Sequence, residues 1–394
     1  MASTGLTRDR PLLDLWPSIE GVEFATFAEL PTPVTSLAEL MRALDISCDA
    51  YDKRDDLTSP IYGGNKVRTL EVLLGRAHRE GCSHVYSTGA YGTNHGAAAT
   101  MHAPRIGLAA GVVVYPQPHS PSAIENLELM LSRLPTALVR DLFHWSALPF
   151  GMVAQRWASR RIGERAMIMD PGGAVPHGAL GYVSAALEFA HQIAAGDLPL
   201  PTQIVVATGS NCTTAGLLVG LRIAARYGIG FDEPPMLTGV RVTPWPVTSR
   251  WRILSLARRT ARLLHALTGD EHCDVQRVLP AGLTLSTRYI ARGYGFASDE
   301  GRRAIELFRE HAGHLLETTY SGKSAAAFID IARESDGPVV YWSTKTSTVL
   351  PPVDRQHVLD HAPRRMRRWL ERGHAMLPTV LAGETKPKRM RDHA

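Results

Sequence analysis

Cysteine is scarce in this chain of 394 residues: Cys48, Cys82, Cys212 and Cys273 stand far apart, without paired spacing. That pattern excludes a disulfide framework and a zinc knuckle, so reduced thiols and no metal site are expected. No apolar run approaches the roughly 18 residues of a membrane-spanning helix, and Met1 to Arg10 lacks a signal-type apolar segment. A cytoplasmic protein with no membrane partner is the expectation. Neither a Walker loop nor a G-x-G-x-x-G turn is present, which removes the usual signatures of nucleotide binding. Internal repeats and low-complexity tracts are missing as well.

What is present is 44% hydrophobic and 21% charged, the profile of a globular chain long enough for one large or two medium α/β domains. The net charge of +5 gathers late, in Arg364-Arg365-Met366-Arg367-Arg368 and in Lys386-Pro387-Lys388-Arg389-Met390-Arg391. No aromatic interleaving or nucleic-acid module accompanies it, so a solvated face or attraction of an anionic substrate is favoured over a nucleic-acid partner. From Leu377 onward the chain reads as an extended or frayed tail.

Short β-branched runs alternate with longer helical patterns, the signature of parallel sheets covered by helices. Strands are expected at His84 to Thr88, Ala109 to Tyr115, Ala137 to Leu142, Ala166 to Asp170, Gln203 to Thr208, Leu237 to Val242, Leu315 to Thr318 and Pro338 to Ser343. Helices are expected near Lys66 to Arg79, Asn94 to Ala103, Ser122 to Leu131, Gly178 to Ala194, Thr214 to Tyr227, Arg250 to Leu267, Asp299 to His311 and Lys323 to Arg333.

In open α/β sheets ligands gather at the carboxyl ends of strands, and four loops carry chemistry there. In Tyr62-Gly63-Gly64-Asn65-Lys66 a lysine follows two glycines at the mouth of a helix. It is either an ordinary first-turn lysine or an amine held against a carbonyl cofactor, for which a cramped, glycine-permitted backbone is suited. Thr208-Gly209-Ser210-Asn211-Cys212-Thr213-Thr214 turns a strand into a helix through small polar residues. Such a turn serves as a simple helix cap or as a phosphate cradle built from amides and hydroxyls. In Tyr91-Gly92-Thr93-Asn94-His95-Gly96, Thr93 and Asn94 suit a helix cap, and the small residues around them would let a flat ligand approach. Thr319-Tyr320-Ser321-Gly322-Lys323 offers a phenol for proton transfer and a second candidate lysine; Lys66 is the stronger of the two.

Together these runs resemble the pyridoxal-phosphate-dependent fold-type II enzymes, and specifically the family of D-cysteine desulfhydrase and 1-aminocyclopropane-1-carboxylate deaminase. The match runs from Leu30-Pro31-Thr32-Pro33 through Lys53-Arg54-Asp55-Asp56-Leu57, the Lys66 run, Gly172-Gly173-Ala174, Gly178 to Tyr182, Thr208 to Leu217 and Gly293-Tyr294-Gly295 to Tyr320-Ser321-Gly322-Lys323. The resemblance implies two open, twisted, mostly parallel sheets flanked by helices, as in tryptophan synthase beta-like proteins. It places a large cofactor-binding domain in 1–65 and 200–376, a small domain in 66–199 and a basic tail in 377–394, with Lys66 at the junction. Family habit adds a homodimer.

On that resemblance the cofactor is pyridoxal 5'-phosphate and the partner a small amino-acid substrate. Lys66 would form the imine and move the substrate α-proton. Asn94 would bond the cofactor's ring hydroxyl, the run Gly209, Ser210, Asn211, Cys212 and Thr213 would hold its phosphate, and Thr344 would face the pyridine nitrogen. Thr93 would contact the substrate carboxylate or act in proton transfer, with Tyr91, His95, Tyr294 and Tyr320 also on the substrate side. A neutral hydroxyl at the pyridine nitrogen makes the ring a weaker electron sink than a carboxylate would, which favours loss of a β leaving group.

The chain also departs from the family pattern. Where the cyclopropane-opening branch carries an acidic residue after the tyrosine, this chain has Ser321, so the desulfhydrase pattern fits better. Thr93 replaces a serine, Gly92 a glutamine, Asn211-Cys212 the glycine pair of the phosphate loop, and Lys345-Thr346 the glycine pair after the last strand. The expected activity is therefore α,β-elimination or deamination of a small amino acid. β- or γ-Replacement in specialised biosynthesis and a non-catalytic phosphate-ligand binder on the same fold are the alternatives.

Overall fold

The computed structural model describes residues 6, 7, 10–17, 19 and 21–384, and within them two separate parallel sheets. In the larger, Leu283–Ser286, Met236–Arg241, Gln203–Thr208, Val339–Trp342 and Ala50–Lys53 lie side by side and parallel. Val34–Ser36 closes its edge antiparallel to Ala50–Lys53. The smaller sheet runs Val139–Asp141, Ala109–Tyr115, His84–Ala90 and Ala166–Ile168, all parallel. Ile204, Val205 and Val206 in succession are fully buried, as a strand covered on both faces must be. Register sets Thr208 level with Arg241, and Trp342 level with Val206 and Lys53, so the loops after these strands emerge on one side.

The helices over the larger sheet pack closely because small residues face each other. A Cβ on Gly216 would lie 2.4 Å from Tyr182 Cβ, and one on Gly220 would lie 2.6 Å from Ala186 Cβ. Pro176–Ala195 and Cys212–Arg226 can therefore lie almost in backbone contact. The helix Lys66–Arg79 is tied into the same layer by a buried ionic cluster. Arg68 pairs with Asp55 at 2.7 Å and with Glu188 at 2.9 Å, Lys53 meets Glu188 at 2.6 Å, and Trp342 Nε1 donates to Asp55 at 2.9 Å. Burial alone would raise the Glu188 carboxyl, but the Arg68 and Lys53 cations outweigh it and bring it down to about 2. Because Arg68 is two residues along from Lys66, the cluster fixes where that helix begins.

Several expectations are corrected. Leu315 to Thr318 forms no strand; the segment is irregular, and the Glu317 side chain accepts the N–H groups of Thr319, Tyr320 and Ser321 that follow it. The helix Arg364–Glu384 runs past Leu377 where an extended tail was expected, while Lys386 to Arg391 lie outside the described residues. Leu180, Val183 and Phe189 belong to the core of the larger sheet, whereas Val358, Met366 and Leu370 pack into the core around the smaller one.

Candidate active site

A cavity of about 510 Å³ opens between the two sheets at the carboxyl ends of their strands, and Lys66 projects into it. The glycines before Lys66 are required by close approach. Gly64 has φ +91°, and a Cβ there would lie 2.8 Å from Thr344 O and 3.0 Å from Thr346 N. Asn65 N–H donates to Thr344 O at 3.0 Å, and Gly63 N–H to Thr346 Oγ1 at 2.9 Å. The run is thus clamped to the loop after Val339–Trp342. Among the described residues Lys66 Nζ has a single hydrogen-bond partner, the Gly172 carbonyl at 3.4 Å, and burial lowers its affinity for a proton. A neutral amine is the form that attacks a carbonyl.

On one side stands the anion cradle. Asn211 adopts a left-handed φ of 74°, no side chain caps the helix Cys212–Arg226, and its first-turn amides therefore have no intrahelical acceptor. Asn65 Nδ2 donates to Thr213 Oγ1 at 3.0 Å, tying this cradle to the residue before Lys66. Cys212 is fully buried with Sγ on the Gly173 carbonyl at 3.2 Å. Gly172 and Gly173 leave the gap between cradle and lysine open. A Cβ on Gly172 would stand 2.5 Å from the Ser210 side chain and 3.3 Å from Lys66 Nζ.

The opposite wall is the start of the helix Asn94–His102, capped by Thr93 Oγ1, which accepts Gly96 N–H at 3.4 Å. Asn126 Nδ2 donates to Asn94 Oδ1 at 2.7 Å, and the Tyr62 hydroxyl lies between Asn94 Oδ1 at 3.2 Å and Asn126 Oδ1 at 2.9 Å. With its oxygen so engaged, Asn94 keeps its Nδ2 hydrogens for a ligand. His95 is 1% exposed and both ring nitrogens are without a protein partner; burial, reinforced by the Lys66 charge, lowers it to about 3, so it stands neutral.

The Tyr294 and Tyr320 hydroxyls meet at 2.6 Å in the lining of the cavity. Burial pushes both phenols above their usual range, so they carry their protons at neutral pH. Lys323 is no imine candidate: its Nζ donates to the Ile290 and Gly293 carbonyls at 3.0 and 3.1 Å and pins the loop that carries Tyr294. Burial lowers that amine to about 8.

Most of the expected residues converge: Lys66, Thr93, Asn94, His95, Gly209 through Thr213, Tyr294, Tyr320 and Thr344 all line the cavity. Tyr91 is the exception and is not among the lining residues. Its hydroxyl donates to Asp141 at 2.6 Å and its ring meets Trp369 edge-on at 5.5 Å, away from the cavity lining. Tyr62, Asn65, Asn126 and Glu317 were missed. Only Asn65 carried a signal, its place directly before Lys66; the others act through contacts between segments distant in sequence.

A clamped, deprotonation-prone lysine between a helix-end anion cradle and an amide donor defines an enzyme site for a phosphorylated carbonyl cofactor. The chain belongs to the family of pyridoxal-phosphate dependent enzymes, whose profile matches residues 25–344, and pyridoxal 5'-phosphate is its cofactor. It is similar to D-cysteine desulfhydrase of Salmonella paratyphi C, 33% identical over 326 residues that cover 80% of this chain and 91% of the relative. The corresponding Yersinia enterocolitica protein is 32% identical over 320 residues, covering 79% and 90%. The solved structure of an ACC deaminase homologue superposes with a TM-score of 0.66 at 26% identity, covering 85% of this chain and 94% of that one. Threonine deaminase isoform 2 from Solanum lycopersicum, at 15% identity and TM-score 0.53, covering 89% of this chain and 87% of its own, shares the fold.

Proposed function

We propose that this protein is a lyase that removes the α-proton and a β leaving group from a small amino acid, of the kind D-cysteine represents, and releases ammonia. The observation that carries this reading is the Lys66 amine, without a carboxylate partner among the described residues and facing the cradle and the Asn94 helix across one cavity. When bound, the cofactor supplies the electron sink that makes an α-proton removable. The chain supplies the rest. Gly209 to Thr213 would hold the phosphate, Asn94 Nδ2 would be the donor for the ring hydroxyl, and Thr344 would serve the ring nitrogen. The helix start at Thr93 and Asn94 binds the substrate carboxylate, with neutral His95 beside it. Lys66 Nζ takes the α-proton, and the Tyr320–Tyr294 pair holds or returns a proton at the β substituent.

Three further points belong to the proposal. A cytoplasmic setting is part of the proposal; no helix of the described residues is long and apolar enough to cross a membrane. Phe150, Val153 and Trp157 fall on one face of the helix Leu148–Arg161 and are 78%, 58% and 65% exposed, a surface suited to a homodimer that light scattering would test. Packing supports a division into a large unit containing 176–195 and a small unit to which 355–376 returns.

The test is a spectral and product screen of the purified protein against D- and L-amino acids bearing β leaving groups. Ammonia and a keto acid in equal amounts are expected. A new amino acid formed from an added nucleophile would instead establish replacement, which the open cavity mouth would permit. A colourless protein that takes up no pyridoxal phosphate would defeat both.

A further inference from the structure

The charges around the cavity do not balance. Among the described residues its lining includes Lys66, Arg292 and Lys345 but no aspartate or glutamate. Lys66 is committed to the cofactor. Lys345 is half-buried with Glu317 and Glu125 as the nearby opposite charges. Among the described residues no carboxylate pairs with Arg292, and its guanidinium lies over the Phe296 ring, 4.9 Å from the centroid.

The loop that carries this cation is held in place. Lys323 fastens the carbonyls of Ile290 and Gly293 on either side of it, and a Cβ on Gly295 would touch Pro118 at 3.2 Å, so the loop is seated against the opposite wall. Two indoles flank the same entrance from different sheets. Trp145 follows Val139–Asp141 and Trp245 follows Met236–Arg241; both line the cavity and are 60% and 73% exposed. Large aromatic faces left in solvent beside an unpaired guanidinium form a surface with an unmet partner.

The backbone amides at Cys212 to Thr214 answer the cofactor phosphate, and the helix start at Asn94 answers the substrate α-carboxylate. Arg292 is the exposed positive group of the lining, open to a third anion. Resting on the lyase reading above, we propose that the preferred substrate is an amino acid whose side chain ends in an anionic group, which Arg292 binds at the mouth while Trp145 and Trp245 border the chain leading to it. Arg292 is thus a specificity-determining residue for the leaving group rather than part of the proton-transfer machinery.

The test compares two nearly isosteric substrates, S-carboxymethylcysteine and S-carbamoylmethylcysteine, in both configurations and on the holoenzyme. Both kcat/KM for keto-acid release and the dissociation constant from the shift of the cofactor's visible band are measured. The carboxylate is expected to be favoured about tenfold, a ratio that shrinks with added salt because Arg292 is exposed. In Arg292→Met the ratio should fall to near one, and Arg292→Lys should retain part of it; a ratio within each variant is insensitive to partial loss of folded enzyme. Equal efficiency in the wild type, or a preference that survives Arg292→Met, overturns the proposal. A binding preference for the anion without keto-acid release from any amino acid would sink the lyase reading and leave the subsite standing.

Discussion

Glu317→Gln should disable turnover while leaving the cofactor bound. The Glu317 carboxylate accepts Thr319 N–H on one oxygen at 2.7 Å, and Tyr320 N–H and Ser321 N–H on the other at 2.6 and 2.9 Å. Ser321 Oγ adds a further contact at 3.3 Å. An amide keeps one oxygen for two of these donors but sets an NH₂ against the third. Losing one hydrogen bond to a charged acceptor costs about 1.5–3 kcal/mol. Removing the negative charge at the start of the helix Ser321–Glu334 costs about 0.3–1 kcal/mol more, for a total near 2–4 kcal/mol. Part of that appears as a lower Tm. The remainder appears as misplacement of Tyr320, whose hydroxyl must stay on Tyr294. Glu317 is thus a positioning residue, and its signature is a fall in kcat larger than any change in KM. The assay pairs thermal unfolding with steady-state kinetics and the visible spectrum of the holoenzyme. A Glu317→Gln protein with unchanged Tm and unchanged kcat would refute the argument.

Other positions follow the same logic. Gly64→Ala forces a Cβ to within 2.8 Å of Thr344 O at φ +91°, a strain of about 1–3 kcal/mol, and should displace Lys66 enough to weaken the visible band of the bound cofactor in a titration. Arg68→Met leaves Asp55 and Glu188 buried and under-paired and should cost about 3–5 kcal/mol in denaturant unfolding. His95 and His102 sit at about 3 and about 4, below the ordinary 6.5, because burial opposes their charging. The folded state therefore binds fewer protons than the unfolded one, and the stability they contribute is complete above about pH 6.5 and lost as pH falls toward 3. Each histidine adds up to about 1.4 kcal/mol per pH unit in that window, and His95→Gln should remove its share from a stability curve measured between pH 6.5 and 4.5.

Local features legible in the sequence were those whose cause is local. Gln203–Thr208 and Ala109–Tyr115 are short, apolar and bounded by turn residues, and they form as expected. The Lys66 decad, the Gly209 to Thr213 turn and the Thr93–Asn94 cap were readable because glycine, a small polar run and a capping residue each prescribe their own backbone. Leu315 to Thr318 misled because apolar residues there serve no ladder; one carboxylate captures the following amides instead. The helix Leu148–Arg161 was missed; the face it buries carries Gly151, Gln155 and Ser159 instead of an apolar stripe. Tyr91 looked substrate-facing only by proximity to Thr93, and its partner Asp141 is 50 residues away. The edge strands Val34–Ser36 and Leu283–Ser286 are only three and four residues long, too short for a pattern to register.

The central claim is that Lys66 is the amine that holds the cofactor and moves the proton. The most direct measurement is the visible absorbance of purified Lys66→Ala beside wild type after saturation with pyridoxal phosphate, followed by reduction with borohydride and mass analysis. The account predicts a borohydride-stable adduct on Lys66 in the wild type, and in the variant no such adduct, no visible band of a lysine-bound cofactor and no keto-acid release. A wild-type adduct on Lys323 or Lys345, or a Lys66→Ala protein that keeps band and turnover, would contradict it.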